Sequence, residues 1–274
     1  METITGTAAG VPFTALPPED VDGPAPLVAT WHMLDAPRTD AAFAAALPMR
    51  GVPAWRVHLG MPMCGARMVD GSLDAAVALA REDALLSFLA PFVRQAAAEF
   101  PAALAALRDR LAVDDTPPAI VGGSLGGSVA LQVLTTADVP VSAVALVNPA
   151  VRVGSAVELV EGLAGHPYVW TDEARRTAAE LDFVARVDGL AAPPPLLLVS
   201  GEDDHARFRA DAVELVDALR TRSGDVELVT VPGLAHPLAD EPGMEPAPQR
   251  PTAQAVDAAL TDWLRTRLTP PSST

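Results

Sequence analysis

One stretch limits what this chain can fold into more than any other. A short apolar run, Ala119-Ile120-Val121, meets Gly122-Gly123-Ser124-Leu125-Gly126-Gly127 and passes into the apolar stretch Ser128–Leu134. A brief Ile/Val run closed by glycine reads as a buried strand, and the run after it has helical composition. The junction is therefore a strand that turns sharply into a helix. Glycine removes the Cβ atoms that would obstruct such a turn. The glycines either make the turn and leave the serine incidental, or they serve to present Ser124.

The rest of the chain repeats the strand–helix alternation. Short edge strands are expected near Thr3–Thr7 and Pro12–Ala15. "APLVATWHML" and "VPAWRVHLGMP" read as strands, with loop and helix between them. Ser72–Leu111 reads as mostly helical, interrupted near Pro91 and Pro101. "VSAVALVNPAV", "PPPLLLVSGEDD" and "VELVTVPGLAHPL" read as further strands. "RADAVELVDALRTRSG" reads as an amphipathic helix with Ala212, Val213, Leu215, Val216 and Leu219 on one face. A C-terminal helix closes the chain before a frayed tail, Thr269–Thr274, and Ala239–Pro251 reads as an exposed loop. Continuous apolar strands alternating with helices imply a mainly parallel sheet covered on both faces. No repeat or linker divides residues 1–274, so one domain is expected.

Gly122-x-Ser124-x-Gly126 fits the nucleophile-elbow pattern, in which a strained turn holds the serine Oγ out at the sheet edge beside a helix N-terminus. A serine hydroxyl needs a base to activate it, and the base needs an acid to orient it. On a sheet of this kind the partners follow in the order Ser, acid, His, each on a loop after a later strand. Asp204 follows "PPLLLVSGEDD" and His236 follows "VELVTVPGLAHP". Three suitable residues, each at a strand end and in that order, favour presentation of Ser124.

With "GGSLGG", "LLLVSGEDD" and "GLAHP" the chain resembles the α/β-hydrolase superfamily over about Leu27–Leu268. The resemblance implies an α/β-hydrolase fold with a small cap, or none, over residues 152–190. It implies a serine hydrolase acting through an acyl-enzyme, with Ser124, Asp204 and His236 as triad and Asp203 as the alternative acid. Oxyanion donors are expected from the Leu125 N–H and from the loop after "WHML", where Leu34 is the candidate and Met33 the next. Many relatives carry His-Gly here; this chain has His32-Met33. A carboxylic ester of a small to medium apolar molecule is the expected substrate. A peptide, thioester or lactone would use the same triad, and a silent binding protein would keep the fold. No cofactor or metal is required by this chemistry.

Other features sort into blander roles. His32 reads as a structural hydrogen-bonder, His58 as a partner of loop backbone and His205 as a solvated loop residue. His166 is a candidate site-lining residue. Met33, Met63 and Trp170 are candidate substrate contacts, and Cys64 does not sit in an elbow. A single cysteine excludes an intrachain disulfide. All 19 basic residues are arginine, which excludes Schiff-base chemistry on a protein lysine. A net charge of −16 argues against nucleic-acid binding and adsorption to anionic membranes. No apolar run approaches the roughly 20 residues needed to span a bilayer, and the N-terminal residues lack a signal-peptide pattern, so a cytoplasmic location is expected.

Overall fold

The computed structural model describes residues 3–19, 21, 23–136, 139–164, 166–190, 192–222 and 224–268. The tail Thr269–Thr274 lies outside them. Among the described residues, eight strands form one sheet: β1 (Ile4–Ala8), β2 (Val11–Leu16), β3 (Leu27–Trp31), β4 (Trp55–Leu59), β5 (Ala119–Gly123), β6 (Ala143–Val147), β7 (Leu196–Asp203) and β8 (Val226–Ala235). Their spatial order is β1-β2-β4-β3-β5-β6-β7-β8. The β1–β2 hairpin is antiparallel and pairs with β4, while the strands from β4 to β8 run parallel.

Among the described residues, nine α-helices follow in chain order: α1 (Asp40–Ala46), α2 (Asp74–Glu82), α3 (Ala90–Arg110), α4 (Leu125–Thr136), α5 (Val153–Ala164), α6 (Asp172–Glu180), α7 (Phe183–Arg186), α8 (Ala206–Arg220) and α9 (Pro251–Leu268). Successive strand residues point to opposite faces, and the core divides accordingly. Ile120, Leu146 and Leu198 face the side closed by Leu104 of α3, Val129 of α4 and Leu215 of α8. Val121, Val147 and Leu197 face the side closed by Phe43 of α1 and by Leu260 and Leu264 of α9. These layers and their order are those of the α/β-hydrolase fold.

Three local expectations need correction. The helical stretch Ser72–Leu111 breaks at Asp83, passes through a π-helical turn over Ala84–Leu89 and continues as α3, while Pro101 lies inside α3 without ending it. Asp83 caps the turn by accepting from the Leu85 and Leu86 N–H groups. In α8, Ala212, Leu215, Val216 and Leu219 are buried, but Val213 is 46% exposed; its 100° step from Ala212 turns it off the core-facing stripe. His58 accepts or donates across the sheet to Thr30 Oγ1 at 2.8 Å instead of serving loop backbone, because it sits inside β4 facing the adjacent strand.

The segment expected to carry a cap folds as α5, α6 and α7 and is tied down through Arg152 and Tyr168. Arg152 reaches Asp182, Asp211 and Glu214. The Tyr168 hydroxyl donates to Asp83 at 2.6 Å, and the Tyr168 ring meets Trp170 edge-on.

Candidate active site

The chain leaves β3 to one side as β4 and returns on the other side of β3 as β5. Crevices at such a reversal, beyond the carboxyl ends of parallel strands, are where open α/β sheets bind ligands. Ser124 stands at that place, at the end of β5. Its backbone takes the left-handed region, φ +48°, which costs a non-glycine residue of order 1–3 kcal/mol and marks a position held by its surroundings. The hold is visible: Ser124 N–H donates to Val147 O, and Ser124 O accepts from Gly127 and Ala150.

The glycines serve close approach, since none of Gly122, Gly123, Gly126 and Gly127 has positive φ. A Cβ on Gly122 would lie 2.2 Å from Gly126 O, and one on Gly126 would lie 2.3 Å from Trp31 O. The helix N-terminus is thus pressed onto the ends of β5 and β3, and the unusual dihedral falls on the serine.

The partners arrive from the next strand ends. His236 Nε2 lies 2.8 Å from Ser124 Oγ, and His236 Nδ1 lies 2.7 Å from Asp204 Oδ1. All three residues are buried. Asp204 Oδ1 also accepts from the His205 N–H at 2.7 Å. Asp204, and not its exposed neighbour Asp203, reaches the histidine, because Asp203 still belongs to β7 and pairs with Ala235. With Nδ1–H donating to the carboxylate, Nε2 is left to accept from the serine hydroxyl. Phe208 and His205 pack on the imidazole, with ring centroids 5.2 and 5.0 Å away.

Asn148 is a site residue the sequence reading missed. It directly follows β6 with φ +43° and is fully buried. Its side-chain Oδ1 accepts from Gly201 N–H, and its Nδ2 donates to Ala235 O and His236 O. One amide therefore ties the loop carrying the acid to the loop carrying the base. The signal was an asparagine at a strand end before proline, which reads as ordinary turn chemistry. Asn148→Ala is expected to lower stability by about 3 kcal/mol, from buried groups left unpaired. Turnover should fall about 10-fold or more with KM nearly unchanged, because a loosened base slows chemistry more than binding. Steady-state kinetics beside a denaturation curve checks both.

The other expected site residues are placed as follows. Leu125 and Leu34 N–H groups find no acceptor among the described residues, and for Leu125 this is the normal state of a first-turn helical N–H. Met33 is fully buried against the elbow, its Cγ 2.9 Å from where a Gly123 Cβ would stand. Met63 is half-buried with φ +55°. Trp170 packs beside Gly154 and Tyr168, and His166 is exposed. Cys64 is buried, and burial pushes its thiol up to about 12, so it is no nucleophile at neutral pH. A cleft of about 520 Å³ lies along the loop leading into α1, lined by Thr39, Asp40, Met68, Leu73, Met244 and Glu245 among others and by none of Ser124, His236 and Asp204. Asp204, His205 and His236 could together reach one metal ion, but both ring nitrogens of His236 are already engaged.

Two more histidines, His32 and His58, are buried beside β3 and β4. His32 Nδ1–H donates to Met33 O, and Nε2 accepts from Met61 N–H, linking the loops after β3 and β4. Burial drives its pKa down to about 4, against the opposing pull of Met33 O and Asp40. Burial, with Arg56 and His32 adding to it, drives His58 down to about 3. Both rings stay neutral in the fold and protonate near 6.5 once unfolded. The unfolded chain therefore binds more protons, so this stabilisation is full above about pH 6.5. It is lost at about 1.4 kcal/mol per ring per pH unit as pH falls toward 4 for His32 and 3 for His58. Melting temperature should drop through that window, and His58→Asn should flatten the fall; an unchanged slope would contradict the assignment.

Comparison with known proteins places this geometry. Residues 94–267, from α3 to α9, match the pattern of the prolyl oligopeptidase family. The chain belongs to that family. The matched part contains the serine, acid and histidine loops, and it makes the chain a serine hydrolase of the α/β-hydrolase type. Solved structures share the fold. The Pyrococcus horikoshii acylaminoacyl peptidase is similar over 100% of this chain and 42% of its own, at 14% identity and TM-score 0.66. A thermostable esterase from Pseudomonas putida is similar over 98% and 83%, at 18% identity and TM-score 0.63. The S-formylglutathione hydrolase of Staphylococcus aureus is similar over 98% and 96%, at 12% identity and TM-score 0.61. A curated relative of another kind is the enolase of Halobacterium salinarum, 33% identical over 201 residues, which are 69% of this chain and 48% of that one. The chain spans about half the length of this curated relative. No described helix is long and apolar enough to cross a membrane.

Proposed function

We propose that the protein hydrolyses a carboxylic ester of a small or medium molecule through an acyl-enzyme. The observation that carries this reading is the unbroken hydrogen-bond chain from Ser124 through His236 to Asp204 at the carboxyl edge of the sheet. Ser124 Oγ attacks the carbonyl carbon as His236 Nε2 takes its proton. Asp204 holds the Nδ1–H tautomer and stabilises the imidazolium. The N–H groups of Leu125 and Leu34 receive the charge on the carbonyl oxygen. His236 then returns the proton to the leaving alcohol, and water attacks the acyl-enzyme by the same route in reverse. No step needs a metal or cofactor.

The family favours a second reading, an amide or peptide bond as the scissile link. The same residues would serve, with the proton delivered to an amine. Esters of p-nitrophenol from acetate to laurate, assayed beside peptidyl p-nitroanilides, separate the two. The ester reading expects a rate that peaks at one acyl length and p-nitroanilides slower by about 10²-fold or more in kcat/KM. Comparable cleavage of both would replace it with the peptidase reading.

A further inference from the structure

Asp35 lies on the loop after β3, one residue beyond the proposed donor Leu34. Its Oδ2 is 3.4 Å from His236 Nε2, the atom that faces Ser124 Oγ at 2.8 Å. The carboxylate is therefore no further from the nucleophile than these two distances laid end to end. It is 46% exposed on the side chain, so an arriving substrate meets it. Among the described residues, the polar group that meets it is the His236 ring. The nearby Arg38 is committed to Glu241 and Pro242 O.

A bare carboxylate at this place hinders the reaction as drawn. Negative charge builds on the substrate carbonyl oxygen beside Leu34 and Leu125, and Asp35 adds a second negative charge close by. Like charges this near, in a partly desolvated site, oppose each other strongly. Something positive must cover Asp35 for the site to work well, and the described residues around it supply nothing beyond the transient imidazolium.

We infer that Asp35 is a specificity-determining carboxylate and that the preferred ester or amide carries an ammonium group within about six bonds of the scissile carbonyl. This rests on the serine-hydrolase reading above. The substrate cation pairs with Asp35, removes its repulsion from the oxyanion and orients the carbonyl toward Ser124. A substrate with a carboxylate at that position is turned away.

The test uses three p-nitrophenyl esters of matched length: ε-aminocaproate (cationic), heptanoate (neutral) and the adipate monoester (anionic). Each is assayed with the wild type, Asp35→Asn and Ser124→Ala, after subtraction of spontaneous hydrolysis. The expected wild-type order in kcat/KM is cationic, neutral, anionic, with at least 10-fold at each step. Asp35→Asn should bring the three within about threefold of one another, chiefly by raising KM for the cationic ester and lowering it for the anionic one. Serine-dependent hydrolysis of all three at similar rates by the wild type would overturn the inference and leave the hydrolase reading standing. So would an Asp35→Asn variant that slows all three alike through kcat, since Asp35 would then act on the histidine only. Inactivity toward every ester would overturn the ester reading and the inference with it.

Discussion

Ser124→Ala and His236→Ala should each lower kcat by about 10⁴-fold or more on the best ester, and the double variant should be little worse than either single one. The expectation follows from the chain of contacts. Among the described residues, the serine hydroxyl has no base other than His236 Nε2 within hydrogen-bond reach, and the ring is held by Asp204 and by Phe208 and His205. Removing either partner leaves nothing to share the proton. Asp204→Asn should cost less, though still about 10³-fold or more, because an amide can hold the ring in the wrong tautomer. Additive losses in the double variant would mean that the two residues act separately, against the geometry.

The second large effect is structural. Gly126→Ala should abolish activity and lower stability by about 3 kcal/mol. Its new methyl would lie 2.3 Å from Trp31 O and 2.5 Å from His32 O. Both are backbone atoms at the end of β3 and cannot swing aside as a side chain would. The helix bearing Leu125 would have to move off the sheet, and a displacement near 1 Å in such a site costs about 10²-fold in rate. Gly123→Ala makes the useful control: there the methyl meets Met33 Cγ at 2.9 Å and Phe43 ring atoms, and a side chain can give. A folded, active Gly126→Ala protein would show that the elbow does not depend on this contact.

Much of this site was legible because its parts announce themselves locally. The glycine cluster, an aspartate three residues past Gly201 and a histidine in "GLAHP" each sit at the end of a Val/Leu-rich strand, and chain order supplied the rest. The structure adds the reason for the glycines, which is close approach and not backbone freedom. What stayed hidden depends on contacts across long separations. Asn148 acts on loops 53 and 88 residues away, and Asp35 meets a histidine from the far end of the chain. Neither has a neighbour in sequence that hints at the meeting. Val213 and His58 were misread for a simpler reason: composition reports that a stretch is apolar or polar, while the helical step or strand pleat decides which way one residue points.

An activated Ser124 should react with a serine-directed probe, and an ordinary serine should not. The intact protein is treated with a fluorophosphonate at neutral pH, digested, and analysed by mass spectrometry. One phosphonyl adduct per chain is expected, on the peptide containing Gly122–Gly127 and at Ser124, with no labelling in His236→Ala. An unlabelled Ser124 in the folded protein, or labelling that survives loss of His236, would contradict it.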